Sequence, residues 1–259
     1  DMFNDFQFRE DVRLAGVNSI NWGRVLAQVV YYFTSAVSLG APHRKVSFTV
    51  PTGNFGDIFA GYIAKQMGLP IGELIVATNT NDILHRTLET GAYTKGSVTP
   101  TISPSMDIQV SSNFERALFY AYGQDGAAVV SQMDDLKKGG FTISQGAIDA
   151  LRDTYASGRV SEQDTSDTIT RYLAEHGELL CPHTAVGASI GEQHLGSVSM
   201  VTLATAHPAK FPAAVERATG IHPPLPPRMA DLYDRTERIT RTEGDLAAIQ
   251  KIIKDRITS

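Results

Sequence analysis

The stretch that most constrains this chain lies between residues 45 and 67. Lys45 to Val50 gathers β-branched and aromatic residues and stops at Pro51, whereas Ile58 to Met67 carries apolar residues at helical spacing. Between them runs Gly53-Asn54-Phe55-Gly56-Asp57. A buried strand passing into a helix through a short glycine loop is the βα unit of an α/β fold. Gly68, Leu69 and Pro70 then end the helix. Glu73 to Thr78 reads as the next strand, followed by Asn79 to Asn81 and a helix through Leu88. The alternation predicts a parallel sheet flanked by helices.

The loop has its own chemistry. The first N–H groups of a helix lack intrahelical partners, and the helix dipole adds partial positive charge there, so such an end suits a phosphate. Gly53 and Gly56 let backbone approach an anion, Asn54 tolerates unusual backbone angles and offers an amide, and Thr52 adds a hydroxyl. The pattern equally admits a plain turn in which Asp57 caps the helix. Nucleotides are the weaker ligand class, because Gly-Lys-Ser/Thr is absent and the glycine spacing is not that of a dinucleotide loop.

Elsewhere, Asn18 to Leu39 predicts a long, largely buried helix, and Gly91 to Ile108, rich in Ser, Thr and Pro, an irregular loop. Phe114 to Tyr122 is helical, and Ala127 to Gly177 reads as short helices with polar caps. His183 to His194 reads as an amphipathic helix, Val198 to Ala204 as a fully buried strand, and Leu246 to Ile253 as a final helix. The expected organisation is the later part of an α/β domain over 1–122, a small helical subdomain or insertion over 123–180, and a return to the α/β domain with a helical tail over 181–259.

A net charge of −5 with scattered basic residues argues against nucleic acid or anionic lipid as partner, and no apolar run is long enough to span a bilayer. Cys181, the single cysteine, fits a reducing cytoplasm and reads as a small buried residue, and no metal site is expected.

Beyond these local readings, Val50-Pro51-Thr52-Gly53-Asn54-Phe55-Gly56-Asp57 resembles the phosphate loop of threonine synthases. Four further motifs resemble the same family in the same order: Val17-Asn18-Ser19-Ile20-Asn21-Trp22 with Arg24 and Tyr31-Tyr32-Phe33; Ala77-Thr78-Asn79-Thr80-Asn81-Asp82; Pro182-His183-Thr184-Ala185; and Thr205-Ala206-His207-Pro208-Ala209-Lys210-Phe211. The resemblance implies the fold type II (tryptophan synthase beta-like) class of pyridoxal-phosphate enzymes. It implies that Gly53, Asn54, Phe55, Gly56 and Asp57 hold the phosphate of pyridoxal 5′-phosphate and that Thr205 meets its pyridine nitrogen. Ser19, Asn21 and Arg24 are substrate-side candidates, although helix capping explains Ser19 and Asn21, and pairing with a carboxylate explains Arg24, equally well.

The implied reaction converts O-phospho-L-homoserine and water to L-threonine and phosphate, a lyase step of threonine biosynthesis. It needs a Schiff-base lysine, which the family carries in a Phe-Lys-Asp context upstream of the Asn18-Ser19-Ile20-Asn21 helix. None of this chain's lysines matches that context, so the expectation is a carboxy-terminal portion, inactive alone, whose partner is the amino-terminal part of the same protein. A noncatalytic phosphate-binding homologue and a related phospho-lyase are the alternatives.

Overall fold

The computed structural model describes residues 1–257. The chain runs α1 (Phe6–Val12), α2 (Trp22–Ser38), β1 (Val46–Pro51), α3 (Gly56–Gln66), β2 (Ile71–Thr78), α4 (Ile83–Thr90), β3 (Ala92–Thr94), α5 (Phe114–Ala121) and α6 (Gly126–Lys137). It continues through β4 (Gly140–Thr142), α7 (Gln145–Thr154), β5 (Tyr155–Arg159), α8 (Glu162–His176), α9 (Pro182–Gln193), β6 (Ser199–Thr202), α10 (Pro212–Thr219) and α11 (Leu246–Ile257). The main sheet has the order β5-β2-β1-β6, and every pairing within it is parallel. β3 and β4 form a separate antiparallel pair. The expected parallel sheet flanked by helices is the observed architecture.

Burial follows from strand position. β1 lies inside the sheet and is buried at every residue, as its apolar run requires. β6 is an edge strand with one exposed and three half-buried residues, so the expected fully buried strand over Val198 to Ala204 is corrected: it has a partner on one side only. α2 buries a single face, through Val25, Val29, Tyr32 and Ala36, and leaves Trp22, Leu26, Val30 and Val37 exposed. The expectation that this helix is largely buried therefore fails.

α9 departs in the opposite sense. It is buried from Pro182 through Ala188 and again at Ile190 and Gly191, rather than amphipathic. Its small residues permit that: a Cβ on Gly187 would lie 2.9 Å from Pro51 Cγ of β1. Residues 123–180, expected as a small helical subdomain or insertion, hold helices α6, α7 and α8 but also return β5 to the edge of the main sheet. No helix among the described residues is long and apolar enough to cross a membrane.

Candidate functional site

In open parallel sheets, ligand crevices form beyond the carboxyl ends of strands, where neighbouring strands send the chain in opposite directions. β1 meets that condition, since the chain leaves it for β2 on one side and returns through β6 on the other. A cleft of about 550 Å³ opens there. It is lined by residues 51–57 after β1, by Leu203, Ala204 and Thr205 after β6, and by Ser19, Arg24, Gln28 and Tyr31 from the approach to α2 and its first turns.

The loop after β1 is held in a conformation its own sequence does not favour. Phe55 has φ +61°, in the left-handed region that disfavours a bulky side chain and costs on the order of 1 kcal/mol or more. Complete burial of its ring, edge-on to Phe114 at 5.3 Å and to Tyr155 at 5.2 Å, contributes enough to offset that strain. Gly53 is required for a different reason: a Cβ there would sit 2.7 Å from the carbonyl oxygen of Ser105.

The loop carbonyls are tied from behind. Ser111 Oγ donates to the Gly53 carbonyl at 2.7 Å, and Asn113 donates to the Asn54 carbonyl through its backbone N–H at 3.0 Å and its side-chain amide at 2.8 Å. The same amide also donates to the Ser19 carbonyl. No side chain caps α3, whose first N–H groups therefore stay available to an anion. Sequence reasoning missed Ser111 and Asn113, because their contacts span almost 60 residues. It also missed Gln28 and Tyr31, although Arg24, Gln28 and Tyr31 recur at helical spacing, a readable polar stripe.

Of the expected residues, the structure brings Gly53, Asn54, Phe55, Gly56, Asp57, Thr205, Ser19 and Arg24 together around one cleft. Asn21 is not among its lining residues. Its side chain caps α2, accepting from Gly23 N–H at 2.9 Å and donating to the Gly16 carbonyl at 2.6 Å. Thr52 turns its hydroxyl back to the Val50 carbonyl. Arg24 makes no side-chain hydrogen bond or ion pair among the described residues and so has a free guanidinium at the cleft. Among the described residues no lysine lines the cleft.

Titratable groups at and behind the cleft are perturbed. Burial pushes the Asp57 carboxyl up to about 6, against the opposing pull of hydrogen bonds from Tyr31 and Tyr32. Both tyrosine hydroxyls are raised in turn, first by burial and then by the nearby Asp57 charge, so they stay protonated as donors. Burial, reinforced by Lys210, lowers His183 to about 4 and keeps it neutral. Its Nε2 accepts the Ser105 N–H at 3.1 Å, which fixes the backbone that Gly53 packs against. Cys181 caps α9 by accepting the Thr184 N–H. His/Cys/Asp/Glu clusters able to hold a metal are absent among the described residues.

Comparison with known proteins places this architecture. Residues 184–253 match the family described as "Threonine synthase, C-terminal". Threonine synthase of Pseudomonas aeruginosa is 51% identical over 97% of this chain and 54% of its own length. That of Saccharomyces cerevisiae is 44% identical over 84% of this chain and 46% of its own length. The crystal structure of pyridoxal-phosphate-bound threonine synthase from Brucella melitensis superposes with a TM-score of 0.95 at 54% identity, covering all of this chain and 56% of that one. The chain thus spans about half the length of the relatives it matches, and over that half it belongs to the threonine synthase family.

Proposed function

We propose that this chain supplies the phosphate-holding side of a pyridoxal-phosphate-dependent threonine synthase that converts O-phospho-L-homoserine and water to L-threonine and phosphate. The observation that carries this reading is the uncapped N-terminus of α3, open to a cleft while the loop carbonyls are clamped away from it. The residues fit the cofactor. The N–H groups at Gly53 to Asp57 would take its phosphate, and the Thr205 hydroxyl, lining the same cleft, would meet its ring nitrogen. When bound, pyridoxal phosphate supplies an electron sink for charge developing on the amino-acid substrate.

The protein's part in that chemistry is to bind and orient. Thr205 would offer the ring nitrogen a neutral hydroxyl in place of a carboxylate, and so would hold no charge against it. Arg24 and Ser19 offer a cation and a hydroxyl to a second anionic group, which suits a substrate carrying both phosphate and carboxylate. With no lysine at the cleft, residues 1–259 alone would bind the cofactor phosphate without turnover.

The test is reconstitution of the full-length protein with pyridoxal 5′-phosphate and assay of phosphate release from O-phosphohomoserine. Turnover by the full-length protein and none by residues 1–259 is expected. Cofactor binding without turnover in the full-length protein would instead favour the noncatalytic homologue, and a product other than threonine the related phospho-lyase.

A further inference from the structure

Asp57 stands where an anion site should have no negative charge. It belongs to the first turn of α3, lines the cleft, and sits beside the N–H groups that would hold a phosphate. Its Oδ1 is fixed by the hydroxyls of Tyr31 and Tyr32, each at 3.2 Å, and Tyr32 also donates to the Asp57 carbonyl at 2.8 Å. Tyr31, Tyr32 and Arg24 are the titratable or charged groups that α2 turns toward this carboxyl and cleft; on the Asn113 side Arg116 of α5 is committed to Asn113 Oδ1 at 3.1 Å and the Ile20 carbonyl at 2.9 Å, and Ser19 and the 203–205 segment present none. No cation pairs with Asp57 among the described residues.

We infer that Asp57 is the proton-carrying partner of the bound phosphate: the cleft takes up one proton from solvent as a dianion binds, and the neutral carboxyl donates through Oδ2 to an anion oxygen. The inference rests on the phosphate reading of the cleft. Its physics is that two negative groups sharing a partly desolvated site oppose each other's ionisation, and Arg24, the cation at the cleft, does not pair with Asp57 to relieve that conflict. The tyrosines cannot relieve the conflict, because their hydroxyls donate and are already committed. The carboxyl is the one group at the loop that can change from acceptor to donor. Burial has already brought its ionisation to about 6, so an adjacent dianion needs only a modest further push to hold it neutral at pH 7. The balance is simple: carboxylate, proton and dianion combine on binding, and the same proton returns to solvent on release.

Inorganic sulfate is a suitable probe, since it remains a dianion throughout the relevant range and takes up no proton itself. Sulfate binding to the cofactor-free full-length protein should weaken about fivefold from pH 6 to 7 and close to tenfold from pH 7 to 8, whereas binding to Asp57→Asn, which keeps an acceptor for both tyrosines, should change less than about twofold. Should that variant fail to fold, calorimetry of the wild type in two buffers of different ionisation heat gives the answer, with uptake near one proton per sulfate expected at pH 7.5. Flat wild-type binding, zero uptake, or an Asp57→Asn variant that tracks the wild type would overturn the inference. Loss of sulfate binding at every pH while pyridoxal 5′-phosphate still binds would overturn it alone; failure of both ligands to bind would overturn the phosphate reading beneath it.

Discussion

Two strand-to-helix loops stand side by side at the carboxyl end of the sheet, one after β1 and one after β2, and they dispose of their polar groups in opposite ways. After β2, Asn79 donates to Thr101, Ser103 and Asp107, its Oδ1 accepts the Asn81 N–H, and Asn81 donates to Thr99 and Asp107. After β1, the Gly53 and Asn54 carbonyls and the Asn54 side-chain oxygen accept hydrogen bonds, while the side-chain amide of Asn54 donates to no protein group among the described residues; neither α3 nor α4 carries a side-chain cap. The first-turn aspartate of α3 and the N-cap aspartate of α4 repeat the contrast. Burial pushes Asp82 up, but hydrogen bonds from Arg159 and Arg86, at 2.9 and 2.8 Å, outweigh it and hold the carboxyl below its usual value. Asp57 has tyrosines and no cation, so burial wins. A loop whose side-chain amides are satisfied, as those of Asn79 and Asn81 are with only the Thr80 hydroxyl left over, is built to hold shape; one whose amide is left free at a cleft is built to hold something else.

The sharpest way to break this comparison is to cut the satisfied loop. Asn79→Ala removes a buried amide that bonds Thr101, Ser103, Asp107 and the Asn81 N–H, so a loss of about 3 kcal/mol in chemical denaturation is expected. Asn54, whose side chain only accepts from Ser112 at 3.2 Å, should lose under about 1 kcal/mol as alanine while weakening pyridoxal-phosphate binding. Equal stability losses at the two positions would erase the distinction.

Gly53→Ala comes next. Its Cβ meets the Ser105 backbone, which His183 holds in place, so the loop must shift, at about 2 kcal/mol by denaturation and with at least tenfold weaker cofactor binding by fluorescence titration.

For Asp57→Asn the sign runs the other way. The folded carboxyl ionises near 6 against an ordinary 3.8, so its contribution to stability is fully present below about pH 4 and is lost as pH rises through 6. The variant, which has no charge to bury, should therefore exceed the wild type by about 1 to 2 kcal/mol above pH 7 and match it near pH 4, a trend that denaturation curves across that range would check.

The smallest stability effect belongs to Arg24→Ala, within about 0.5 kcal/mol because its guanidinium has no partner to lose. Its KM for O-phosphohomoserine in the full-length enzyme should rise about tenfold if Arg24 meets the substrate.

Much of this was legible in the residues themselves. The run from Lys45 to Met67 announces β1, its loop and α3, because apolar period and glycine punctuation change within a few positions. β5 was not legible: Tyr155-Ala156-Ser157-Gly158-Arg159 has little strand propensity, and its conformation comes from pairing with β2. The exposure of β6 was hidden for a related reason, since Met200 and Val201 do not tell whether a neighbouring strand lies on both sides. At the site, residue type suggested an anion at Gly53 to Asp57, yet Asn21 spends its side chain capping α2 and Thr52 donates its hydroxyl to the Val50 carbonyl. Only the partner of each donor separates a cap from a ligand, and those partners lie far along the chain, as Ser111 and Asn113 do.

The central claim is that the backbone amides of the β1–α3 loop hold the cofactor phosphate. Titrating 15N-glycine-labelled full-length protein with pyridoxal 5′-phosphate, and in parallel with pyridoxal, tests it most directly. The account predicts that the amide signals of Gly53 and Gly56 shift with the phosphorylated ligand and far less with pyridoxal, while that of Gly91, at the far end of α4, stays in place. Cofactor binding that leaves Gly53 and Gly56 unmoved would contradict it.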